Sequence, residues 1–188
     1  MRTIFKEYHS HVAACEAVMW LAPCVNAFLL LYACVAPIAA EAAPQPVGKW
    51  QIAPSTGEES LTLSLNAENP VKGWMKTYVP TLTLQCDKGK AALYIEVGMG
   101  LEVTMVDQQI VHIQIDGNKP ITQRWREVTN TTVYATTRDA TALIKQFTQS
   151  QKFLFEFIPF NSAPAQAEFA VTGLSAYLPQ INRTCWGK

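Results

Sequence analysis

The sequence predicts a mainly β protein, an antiparallel β-sandwich of about seven strands with one or two short covering helices. Three observations lead there. Short runs in which polar and apolar residues alternate, the period of a half-buried strand, recur along the chain. Turn residues separate these runs, and no strand–helix–strand rhythm of a parallel sheet interrupts them. Only two segments carry the i, i+3, i+4, i+7 spacing of an amphipathic helix, and both lie late in the chain.

Leu61-Thr62-Leu63-Ser64-Leu65 alternates and reads as a strand, and Asn69-Pro70-Val71-Lys72-Gly73 reads as a loop. Thr81-Leu82-Thr83-Leu84-Gln85-Cys86 alternates strictly, so Leu82, Leu84 and Cys86 share the core face. Asp87-Lys88-Gly89-Lys90 is a turn with Gly where φ is positive, and Leu93, Ile95 and Val97 mark the return strand. Val111, Ile113 and Ile115 line the next strand, which stops at Asp116-Gly117-Asn118. Segments 121–128 and 133–137 are weaker strand candidates. Phe153, Phe155 and Phe157 share one face of a strand, as do Ala167, Phe169 and Val171. The helices fall over 139–149, capped by Thr137 or Asp139, and over 172–182, where Pro179 breaks or bends the run.

Residues 1–42 read as a secretory signal peptide with a long n-region. Arg2 and Lys6 precede a charge-free run over 18–40, and Ala40-Glu41-Ala42 offers small residues at the cleavage positions. An uncleaved anchor helix is one alternative. A lipid-anchored protein is another, with Leu31-Tyr32-Ala33-Cys34 as an atypical lipobox and Cys34 as the acylated residue. Residues 43–49 form a linker, and 50–188 a single domain that starts near Trp50. Such a leader implies export.

Beyond the leader only Cys86 and Cys185 remain, and in an oxidising compartment such a pair is expected to bond. The loop so closed spans about 100 residues and removes roughly 4–5 kcal/mol of unfolded-state freedom in the chain-entropy model.

The charge balance, 15 basic against 15 acidic residues, gives no electrostatic reason to expect nucleic acid or an anionic membrane as partner. Membrane contact is expected only through an uncleaved or lipidated leader. His112 is the one histidine after the leader, and parity turns it to solvent with Gln114 and Asp116. A triad or a zinc site therefore lacks its parts, and no phosphate-binding glycine motif occurs, so no cofactor is expected. A carboxylate pair drawn from Glu96, Asp107, Asp116, Glu156 and Glu168 is the remaining catalytic option. Arg124-Trp125-Arg126, with Arg138, is the one basic-aromatic spot. The trio is a candidate protein-binding site, or Trp125 is a core plug between two surface arginines, the reading preferred here. The sequons at Asn130 and Asn182 read as chance matches.

Several short pieces recur in order across residues 50–186: Trp50, Leu63-Ser64-Leu65-Asn66-Ala67, Pro80-Thr81-Leu82-Thr83-Leu84-Gln85-Cys86, Leu93-Tyr94-Ile95, Gln114-Ile115-Asp116, Trp125, Phe169-Ala170-Val171-Thr172-Gly173-Leu174 and Cys185-Trp186. In these the chain resembles the VasI/TagO-type family of periplasmic proteins associated with bacterial type VI secretion. It departs where that family carries Arg, since Gln114 stands there, and over 53–60, which is looser than the family's stretch. A second, weaker resemblance is to the invasion-associated locus B family. The first resemblance implies a non-enzymatic accessory or binding protein of the periplasm, its partner an envelope or secretion-system protein. The competing expectation is a periplasmic hydrolase using a carboxylate pair.

Overall fold

Nine strands form one continuous antiparallel sheet in the computed structural model, which describes residues 48–53 and 60–187. The segment 1–42 expected to be a signal peptide, most of the expected linker and the 54–59 stretch lie outside the described residues. No described helix is long and apolar enough to cross a membrane.

The strands are β1 (Gln51–Ala53), β2 (Ser60–Asn66), β3 (Val71–Lys72), β4 (Thr77–Tyr78), β5 (Thr81–Asp87) and β6 (Lys90–Glu96). After them come β7 (Gln108–Ile115), β8 (Ile121–Thr129), β9 (Thr132–Ala135), β10 (Lys152–Phe157) and β11 (Ala165–Ala170). The main sheet runs β1-β2-β5-β6-β9-β8-β7-β10-β11, and β3 and β4 make a separate two-stranded hairpin. Every segment read as a strand from alternation is one. The expected count was low because β1, β3 and β4 are two or three residues long, too short to display a period. The stretch read as a loop at 69–73 contains β3.

Alternation sets the core. Leu61, Leu63 and Leu65 of β2, Leu82, Leu84 and Cys86 of β5, and Phe153, Phe155 and Phe157 of β10 are all buried, and one cluster joins them. The two ends of the sheet meet. Glu68 N–H donates to Glu168 O at 2.7 Å. Asn69 accepts from Glu168 N–H at 2.7 Å and donates to Gln166 O at 2.8 Å. The Trp50 indole N–H reaches Val171 O at 3.1 Å. The sheet therefore curls around its core, and these bonds satisfy backbone groups that an open edge would leave unpaired. The nine strands pair in one unbroken ladder.

Helix α1 (Thr137–Phe147) buries Ala140, Leu143, Ile144 and Phe147, the stripe its spacing predicted. Its cap is Thr136, not Thr137 or Asp139 as expected, and the Thr136 hydroxyl accepts from Asp139 N–H at 3.3 Å. The second helical segment is divided. A 3₁₀ turn covers Leu174–Tyr177, and α2 (Leu178–Trp186) follows with Pro179 in its first turn. Pro179 starts α2 and does not bend it, because a first-turn residue needs no intrahelical donor.

The two ends of the curled sheet differ. Both helices, the β5–β6 turn and the Cys86–Cys185 bond occupy one end. There Cys86 and Cys185 lie 4.8 Å apart at Cα, bonded across 99 positions, and both are fully buried. Gly89 N–H at the β5–β6 turn also donates to Thr184 O of α2 at 3.0 Å. Lys88 and Gly89 both have positive φ, the two-residue hairpin turn that Gly89 announced. The other end gathers the β3–β4 hairpin, the 97–107 loop, the β8–β9 turn and the 158–164 loop. Val97 N–H binds Thr131 O at 2.9 Å, Leu101 N–H binds Asn130 O at 2.8 Å, and Glu102 N–H binds Ile158 O at 3.0 Å.

Candidate functional site

Arg124-Trp125-Arg126 sits in the middle of β8, so the strand divides it by parity. Trp125 is fully buried, its ring 5.2 Å from that of Phe155, and its indole N–H donates to Gln123 Oε1 at 2.8 Å. It is a core residue and takes no part in a surface site. Arg124 and Arg126 are exposed on the outer face.

The ladder places these arginines beside two tyrosines. Arg126 pairs with Tyr134 of β9, and Tyr134 pairs with Tyr94 of β6. The tyrosine rings lie 5.9 Å apart, half-buried on the outer face. Gln108 of β7 completes the row on the other side of Arg126, and Ile110, itself exposed, lies opposite Arg124. Sequence reasoning missed the tyrosines, since they come from strands 32 and 8 positions away from Arg126 and only the register aligns them.

The carboxylates fall in two groups: Glu96 and Asp107 toward the loop end, and Asp116, Glu156 and Glu168 around β10, where Glu156 and Glu168 stand diagonally on one face of neighbouring strands. Asp116, which has positive φ, accepts the backbone N–H groups of Lys152 and Gln151 at 2.8 Å each and ties the β7–β8 turn to the start of β10. These bonds, the one from Lys152 foremost, hold its carboxyl below the ordinary value of 3.8, against a smaller upward push from burial. A carboxylate so engaged stays ionised and serves as a clasp. It lines an open groove of about 780 Å³ with Glu168, but Glu168 is ion-paired with Lys152 at 2.7 Å. Glu96 accepts from the Thr132 hydroxyl and from Gly98 N–H at the opposite end of the molecule. Asp107 is exposed in the 97–107 loop.

Glu156 is the one candidate that meets another titratable side chain in register, as it pairs with His112. Both line a small groove of about 230 Å³ on the outer face, and His112 Nδ1 lies 3.0 Å from the Thr122 hydroxyl. His112 is exposed, as parity predicted. No three of His, Cys, Asp and Glu converge among the described residues. We expect His112→Ala to change stability by less than about 0.5 kcal/mol, as exposed substitutions do. Urea denaturation checks this.

Comparison with family models, curated proteins and solved structures finds no match. The functional reading therefore rests on the site itself and on the short motifs across residues 50–186.

Proposed function

We propose that the chain is a non-enzymatic periplasmic accessory or binding protein of the bacterial envelope, associated with type VI secretion as its motifs imply. Its partner is an envelope or secretion-system protein. The leader exports the domain, and the curled sheet is a sandwich in shape whose outer face meets the partner.

The observation that carries this reading is the outer row of Arg126, Tyr134 and Tyr94, with Arg124 beside it. Arg and Tyr are among the side chains favoured in protein interfaces, because each presents a large flat surface with a polar end. They stand on a regular sheet, so little ordering is needed on binding. Hydrolysis by a glycosidase-type pair would need two free acids about 5–10 Å apart across one cleft. Asp116 and Glu168 are already engaged by protein partners.

Reversing Arg124 and Arg126 to Glu tests the proposal. The wild-type chain, cross-linked in living cells and purified from the envelope fraction, is expected to carry a partner that the double variant loses, with the melting temperature unchanged. The same partner at the same yield on both would refute the assignment of this face.

A further inference from the structure

The loop end of the molecule exposes large apolar side chains that neither the core nor the proposed partner face explains. At the tip of the β3–β4 hairpin Trp74 is 97% and Met75 91% exposed, and Met105 in the 97–107 loop is fully exposed. Val103, Val106 and Phe160 add further exposed apolar surface on the adjoining loops. The loops are joined. Phe160 N–H donates to Gly100 O at 2.8 Å, and a side chain at Gly98 would strike the ring of Tyr78 in β4 at 2.7 Å. That close approach holds the hairpin against the 97–107 loop.

We propose that this end docks onto a bilayer containing anionic phospholipid, with Trp74, Met75 and Met105 entering the headgroup boundary. Charge complementarity favours that occupant. Lys72 and Lys76 flank the tip, and the segment 69–80 holds no acidic residue. Glu102 and Asp107 stand at the base of the neighbouring loop and leave Val103-Thr104-Met105-Val106 between them uncharged. Trp at a tip with lysines set back from it suits the membrane interface, where the indole sits among headgroups and the ammonium groups reach lipid phosphates. Almost complete exposure of side chains on separate loops also fits a fluid surface, which needs no matching shape, better than a preformed protein groove. This docking belongs to the folded domain. It differs from the leader-only membrane contact expected from net charge, and it does not depend on the partner proposed above.

Trp74 supplies its own reporter, since Trp50 and Trp125 are fully buried and Trp186 is partly covered. The full chain and its Trp74→Phe variant are mixed with vesicles of phosphatidylglycerol and phosphatidylcholine bearing brominated acyl chains. The difference between their emission spectra isolates Trp74, whatever the leader does. We expect that difference spectrum to move to the blue and to be quenched by bromine. The lipid concentration for half-quenching should rise about fivefold for each of Lys72→Gln and Lys76→Gln, and vesicles of phosphatidylcholine alone should quench weakly. A Trp74 spectrum unchanged by anionic vesicles overturns the proposal. So does a photo-cross-linker at position 74 that labels a protein in intact cells and no lipid, which would make this end a protein-docking site.

Discussion

Cys86→Ser is expected to lower stability by about 2–5 kcal/mol, on the order of 10 °C in melting temperature for a domain of this size. Cys185→Ser should do the same, and the double variant should be little worse than either, because all three lose one bond. The loss is large because of what the bond joins. Cys86 ends the inner face of β5 below Leu82 and Leu84, and Cys185 lies in the last turn of α2. The bond fixes a helix of nine residues onto the end of β5, an interior strand, where Ile181, Thr184 and the Gly89–Thr184 hydrogen bond otherwise hold it. A domain has only about 5–15 kcal/mol of net stability, so the reduced protein should unfold under mild denaturation. If the two single losses add in the double variant, the cysteines act independently and the closure is misassigned.

Trp125→Ala is expected to cost about 3–5 kcal/mol, the range for removing a large aromatic residue from a packed core. The cavity would open beside Phe155 and leave Gln123 Oε1 without its indole donor. Arg124→Ala and Arg126→Ala should each stay within about 0.5 kcal/mol, because both side chains stand in solvent. The contrast separates structure from function within three consecutive residues. Thermal unfolding of the three variants measures it, and a Trp125→Ala protein as stable as wild type would place that side chain outside the core.

Much of the fold was legible because alternation is a local signal. The inner faces of β2, β5, β7 and β10 can each be read from a few residues, and with them the exposure of His112 and the burial of Cys86. The closure of the sheet was not. Trp50 meets Val171 across 121 positions and Asn69 meets Glu168 across 99, and no local pattern marks a single side chain that bonds a distant backbone. The row of Arg126, Tyr134 and Tyr94 was hidden for the same reason, since it exists only once three strands are in register. The loop end did leave a trace. Gly73-Trp74-Met75-Lys76 places two large apolar residues where a tight turn ordinarily carries polar ones, between Pro70 and Pro80. Reading that stretch only for its turn residues concealed its unusual tip.

We propose an exported domain closed by the Cys86–Cys185 bond, whose outer face and loop end bind. Mass spectrometry of non-reduced peptides from the protein recovered in the envelope fraction tests it most directly. The account predicts a mature N-terminus near Ala43 and a cross-linked pair of peptides carrying Cys86 and Cys185. An intact Met1, an acylated Cys34, or both cysteines alkylating freely without reductant would contradict it.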